Sequence, residues 1–255
     1  MNWFSRVLGM DTQTCILFPE VGEPPYPVYY LLHGRANCAS SWLRRTRLED
    51  YAASMPMIIV MPGGYRSFYT DHEDGFAYAQ YAGVELPQRI EAMLPADPLR
   101  CAIGGLSMGG YGALRIGLGW PEKFTSINSH SGALEWGWLS PRQLDDIYAK
   151  PPEEFSEIRR MFGDNPRGSE HDLHALALRA KRAGKLPKIL IDCGEEDILI
   201  DENRAFTKFL NEENIPHIYR EFPGEHNWEY WDLHVREALE FHATNFGLET
   251  TDEHR

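Results

Sequence analysis

Four short, near-continuous apolar runs constrain this chain more than any other feature: VYYLL at 28–32, MIIVM at 57–61, RCAIG at 100–104 and KILIDC at 188–193. Runs of this length without polar alternation suit strands buried on both faces, which is the mark of a parallel sheet. Stretches with helical spacing, such as 84–94 and 109–118, lie between them. Parallel strands need crossover connections, and helices supply them. The reading is therefore an α/β chain with a mostly parallel central sheet and helices on both faces. Further strands are expected at 125–129 and 217–222. The segment 228–246, carrying Trp228, Trp231, Val235, Leu239 and His242 at helical spacing, reads as a helix packed on the sheet. No repeat or linker interrupts the pattern, and 43% hydrophobic residues are enough for one large core. Residues 1–255 are expected to form a single domain. Residues 140–185, rich in charge, Pro and Gly, break the rhythm. They read as a helical excursion or cap, with helices around 152–161 and 173–183, that covers a pocket or makes a homo-oligomer contact. The polar tail 249–255 is expected to fray.

Charge narrows the partners. Acidic residues number 38 against 25 basic ones, a formal net charge of −13, and no Lys/Arg-rich block stands out. Nucleic acid and anionic membrane surfaces are excluded as partners on that ground, because both are bound by neutralising phosphate. No stretch approaches about 18 uninterrupted apolar residues, and MNWFSRVLGMDTQTC shows neither an apolar core nor a small-residue cleavage site. A cytoplasmic protein is expected. Cys15, Cys38, Cys101 and Cys193 are far apart, with no C-x-x-C pair, and read as reduced thiols. Neither a metal site nor a cofactor is signalled.

The chemistry is concentrated in CAIGGLSMGGYGAL (101–114), where Gly105-Leu106-Ser107-Met108-Gly109 matches G-x-S-x-G between a strand and a helix. A serine on that sharp turn has its Oγ pushed out over the strand ends, and the flanking glycines remove Cβ atoms that would clash. The same turn offers the Met108 backbone N–H and the positive end of the helix to a developing oxyanion. A serine hydroxyl needs a histidine base, which in turn needs a carboxylate. In the α/β-hydrolase arrangement the chain order is Ser, Asp or Glu, then His, each on a loop at the carboxyl end of a strand. The loop after 188–193 offers Glu195, Glu196 and Asp197, with Asp201 just beyond. Asp197 is preferred and Glu196 is the main alternative. His226, in PGEHNW (223–228), follows the next strand and is the fitting base. His33, His72 and His130 precede the acid, His217 begins a strand, and His234, His242 and His254 lie in the last helix or the tail. The candidate catalytic set is Ser107, Asp197 and His226. The second oxyanion donor is expected from the backbone N–H of Arg35, after His33-Gly34.

These residues resemble the esterase D-like branch of the α/β-hydrolases, most closely the short-chain carboxylesterases called tributyrin esterases. The resemblance rests on YYLLHG (29–34), IIVMP (58–62), FYTD (68–71), ELPQRIE (85–91), GGLSMGGYGAL, SGAL (131–134), the CGEED loop and GEHNWEYW (224–231), all in the same order. It implies an α/β-hydrolase fold and hydrolysis of esters with short acyl groups, acetyl to butyryl, through an acyl-enzyme at Ser107 and without a cofactor. Related S-formylglutathione hydrolases read roughly SGLTC where this chain has HGRAN (33–37). Thioester hydrolysis of that type, or acyl transfer, is thus the second reading. Bulky side chains near the active face, Trp228, Tyr69, Leu134 and Trp136, are candidates for substrate binding. The expected partner is a small-molecule ester, with an acetylated carbohydrate suggested by the aromatic cluster.

Overall fold

The computed structural model describes residues 1–72, 75–140, 143 and 158–248. Strands β1 (Asn2–Ser5), β2 (Met10–Leu17), β3 (Tyr26–Leu32), β4 (Ile58–Pro62), β5 (Ala96–Leu106), β6 (Ser126–His130), β7 (Lys188–Gly194) and β8 (Ile218–Phe222) form one sheet in the order β1-β2-β4-β3-β5-β6-β7-β8. The six strands from β4 to β8 in that order pair in parallel, and β2 joins β4, and β1 joins β2, antiparallel at one edge. The four apolar runs fall on β3, β4, β5 and β7. In β3 and β4 every residue is buried, as strands covered on both faces require.

Helices α1 (Ser41–Arg45), α2 (Leu48–Ala52), α3 (Tyr78–Gln80), α4 (Leu86–Met93), α5 (Met108–Gly119), α6 (Ile158–Phe162), α7 (Leu173–Arg182), α8 (Ile200–Glu212) and α9 (Trp228–Asn245) are distributed over both faces. Period-2 alternation along each strand sorts the side chains. Val28, Tyr30 and Leu32 of β3 join one core with residues of α4 to α8, whereas Tyr29 and Leu31 join a second core with residues of α1, α2 and α9. This is the α/β-hydrolase fold, with a mostly parallel sheet covered on both sides.

Three features differ from the sequence reading. The edge strands β1 and β2 were not expected, because their burial alternates and no apolar run marks them. The helix expected at 84–94 begins earlier: α3 runs through a π-helical turn, Tyr81–Glu85, into α4. Pro87 lacks the N–H that an α-helix would aim at the Gly83 carbonyl, and the Lys123 ammonium donates to that carbonyl instead, at 3.4 Å. Helix α8 was also missed. Of the cap expected at 140–185, the described part includes α6 and α7; the expected helical segment 152–157 and the tail 249–255 lie outside the described residues. No helix among the described residues is long and apolar enough to cross a membrane.

Candidate active site

Because β3, β5, β7 and β8 run parallel, their carboxyl ends bring four loops to one edge of the sheet. Ser107 sits between β5 and α5 with φ 54° and ψ −118°, a conformation that costs a non-glycine residue on the order of 1–3 kcal/mol. Its surroundings hold it there. The Ser107 N–H donates to the His130 carbonyl at 2.9 Å, and its own carbonyl accepts from the Tyr111 and Ala133 N–H groups at 3.1 and 3.3 Å. A Cβ on Gly105 or on Gly109 would lie 2.6 Å from the Leu32 carbonyl oxygen, so the elbow presses directly on the end of β3 and tolerates only glycine at both places. Met108 is the first residue of α5, where the helix leaves an N–H without an internal acceptor.

His226 lies on the loop after β8, which is anchored by Asn227: its side chain accepts the Tyr230 N–H at 3.0 Å and caps α9. The His226 Nε2 is 3.0 Å from the Ser107 Oγ, and its Nδ1 is 3.0 and 2.9 Å from the two carboxylate oxygens of Asp197. Donation from Nδ1–H to the carboxylate leaves Nε2 free to accept the serine proton. Asp197 is buried. Burial works against its charge, but the bond from His226 and the Leu199 N–H, 2.8 Å from Oδ1, hold its pKa below the usual carboxylate value. The Trp231 ring meets His226 edge to face at 5.0 Å, and its Nε1 donates to the Ser131 hydroxyl at 3.2 Å. Of the other acids in the same loop, Glu195 and Glu196 are exposed. Glu196 accepts the Gly224 N–H at 2.7 Å, bracing the histidine loop from outside rather than touching the ring.

The loop after β3 passes beside the serine: a Cβ on Gly34 would be 2.6 Å from Leu106 Cδ1 and 3.6 Å from Ser107 Cβ. Arg35 follows at half-buried exposure. The loop is fixed by His33, whose Nδ1–H donates to the Gly34 carbonyl and whose Nε2 accepts the Gly64 N–H, both at 2.8 Å. Burial lowers the pKa of His33 to about 4, so the ring is neutral at physiological pH and can play both parts. Arg35 also borders a cavity of about 500 Å³, together with Asn37, Tyr65, Phe76 and Tyr78.

The candidate substrate residues divide. Trp228 is half-buried beside the histidine loop and makes edge-to-face contacts with Trp42 at 5.4 Å and Trp231 at 5.3 Å. Trp136 is half-buried and stacks on Phe162 at 6.1 Å. Tyr69 and Leu134 are fully buried, which corrects their reading as pocket-lining residues. Tyr69 fills the space that a Cβ on Gly64 or Gly112 would need, and its hydroxyl accepts the His33 N–H at 3.1 Å. Leu134 packs into the core. The bracing roles of His33 and Trp231 were missed, since a lone H-G pair and a helical tryptophan signal only a turn and a core contact. On α8, Glu202 accepts the Glu135 N–H at 3.2 Å and supports the loop after β6; burial raises its pKa to about 7.

The Esterase family matches residues 5–242 of the chain. The acetyl esterase of Caldicellulosiruptor saccharolyticus is 32% identical over an alignment of 259 positions, gaps included, that takes in 94% of this chain and 96% of that protein. Among solved structures, the fluorophosphonate-binding serine hydrolase F of Staphylococcus aureus is 27% identical, with a TM-score of 0.83 over 95% of this chain and 96% of the other. The S-formylglutathione hydrolase of Staphylococcus aureus is also 27% identical, with a TM-score of 0.81 over 95% of this chain and 96% of that one.

Proposed function

This chain belongs to the Esterase family and is a serine carboxylic ester hydrolase, and from that premise we propose that it cleaves short-chain acyl esters through a Ser107–His226–Asp197 triad. The observation that carries this reading is the hydrogen-bonded chain from the Ser107 Oγ through both nitrogens of His226 to Asp197, on a strained elbow at the strand ends. His226 takes the Ser107 proton as Oγ attacks the ester carbonyl, and Asp197 stabilises the imidazolium that forms. The backbone N–H groups of Met108 and Arg35 receive the oxyanion. His226 then protonates the departing alcohol and leaves the acyl group on Ser107, and water repeats the sequence to release the acid.

A short acyl group is favoured by the bulk of the edge-to-face cluster of Trp42, Trp228 and Trp231 beside His226. The acetyl esterase relative points the same way, and aromatic faces suit an acetylated carbohydrate as the ester. Residues 1–255 act as one catalytic domain in this reading. The test is hydrolysis of nitrophenyl esters of increasing acyl length by the wild type and Ser107→Ala. Activity that peaks between acetate and butyrate and vanishes in the variant supports the proposal. Turnover by Ser107→Ala, or a preference for long acyl chains, refutes it. The likeness to an S-formylglutathione hydrolase favours a second reading, thioester hydrolysis, and acyl-glutathiones assayed alongside the esters decide between the two.

A further inference from the structure

About two turns along α5 from Ser107, Arg115 carries a demand that the catalytic reading does not use. The residue is 3% exposed, and its Nε and Nη2 are buried without any hydrogen-bond acceptor. Asp71 Oδ2 at 3.9 Å and Glu170 Oε2 at 3.8 Å from Nη2 give charge attraction at distances too long for a hydrogen bond. Both carboxylates are otherwise disposed. Asp71 Oδ1 accepts the Ala79 and Gln80 N–H groups at the start of α3, and the Glu170 side chain is 75% exposed. A guanidinium cannot shed its charge, and unbonded charged donors in the interior are costlier than neutral ones.

Arg115 lines a cavity of about 410 Å³ between α5 and α7, and Gln80, Glu122, Glu170, Arg179 and Lys185 line it too. Arg115, Arg179 and Lys185 stand here against Glu122, Glu170 and the nearby Asp71, a local balance of charge in a chain of net charge −13. We propose that this cavity binds a small oxyanion, a carboxylate or a phosphate, with Arg115 as the buried anchor and the exposed Arg179 and Lys185 at its mouth. The planar fork of a guanidinium matches two oxygens of either group. A cationic ligand would be repelled, and a neutral one would meet the donors without compensating the charge. The site shares no residue with Ser107, Asp197 and His226, so it stands independently of the esterase reading.

The test is titration of the intact protein with inorganic phosphate and with acetate, against chloride at matched ionic strength. Binding is read by calorimetry and by the Arg115 Nε–Hε resonance. Saturable binding of one or both oxyanions that shifts this resonance, with no saturable effect of chloride, is expected, and the tighter of the two identifies the ligand class. Arg115→Gln should weaken binding by about tenfold or more, and the surface double variant Arg179→Ala/Lys185→Ala by about three- to tenfold, with the melting temperature of the latter unchanged. Failure of both oxyanions to bind more tightly than chloride overturns the proposal, as does a folded Arg115→Gln protein that binds like the wild type. Should Arg115→Gln not fold, an unshifted Arg115 resonance together with unaltered binding by the double variant overturns it equally.

Discussion

Replacing Tyr69 by Phe removes one oxygen from a ring that is fully buried and packed against Gly64 and Gly112. The shape is retained, so the effect comes from the hydroxyl. That hydroxyl accepts the N–H of His33, a residue 1% exposed, at 3.1 Å; its own contact to the His33 carbonyl at 3.4 Å is long and contributes little. Without it the buried N–H loses its acceptor, at a cost of about 1–3 kcal/mol. For a chain of this size each kcal/mol moves the melting temperature by about 2–4 °C, so Tyr69→Phe should melt about 2–12 °C lower. Catalysis should suffer as well. His33 and Gly34 lead directly to Arg35, the proposed second oxyanion donor, and loss of a whole donor raises the barrier by about 2.7–4 kcal/mol. Partial misplacement should lower kcat/KM about tenfold, by the same factor for acetyl, butyryl and hexanoyl nitrophenyl esters, since the loop addresses the carbonyl oxygen and not the acyl tail. Thermal unfolding and ester kinetics on the same preparation check both numbers. An unchanged melting temperature with a loss that depends on acyl length would refute the reasoning and return Tyr69 to the pocket wall.

Two further outcomes follow from the same geometry. Gly109→Ala puts a Cβ 2.6 Å from the Leu32 carbonyl oxygen and 2.8 Å from that of His33, both backbone atoms that cannot rotate aside, so the elbow must shift. A loss of kcat/KM on the order of 10²-fold in a protein that still folds is expected, and near-wild-type kinetics would contradict it. Glu202→Gln tests the raised carboxyl behind the loop after β6. Because burial lifts the Glu202 pKa from 4.5 to about 7, the folded chain holds a proton that the unfolded chain releases, and wild-type stability falls as pH rises between those values. The variant should be more stable than wild type by about 1–3 kcal/mol at pH values near 8 and equal to it near pH 4.5; a difference independent of pH in urea unfolding would refute the assignment.

What was legible in the sequence was what burial makes periodic. β3 and β4 are covered on both faces, so VYYLL and MIIVM stand out as unbroken runs. β1 and β2, at the exposed edge, alternate buried with exposed residues and leave no such mark. Helix α8 begins Ile-Asp-Glu-Asn-Arg, and of its buried positions Asn203 and Thr207 are polar beside Phe206 and Leu210, so its inward face is only half apolar and the period is blurred. At the candidate site, Ser107 was legible through its glycines, and Asp197 and His226 through loop order; the structure brings all three within hydrogen-bond distance. Order could not separate Asp197 from Glu196, because both lie in one loop. Only the fold shows that Glu196 reaches Gly224 while Asp197 reaches the imidazole. Tyr69 was misjudged because an aromatic near an active face reads the same from sequence whether it lines a pocket or pins a loop behind it, and the bracing by His33 was missed because an H-G pair signals only a turn.

The central claim is that Ser107 is the nucleophile, held ready by His226. It is tested most directly by treating the protein with a serine-directed sulfonyl fluoride and mapping the adduct by peptide mass spectrometry. One adduct is expected, on the peptide containing Ser107, formed quickly in the wild type, absent in Ser107→Ala and slowed on the order of 10²-fold or more in His226→Ala. An adduct on any other residue, or labelling that persists in Ser107→Ala, would contradict it.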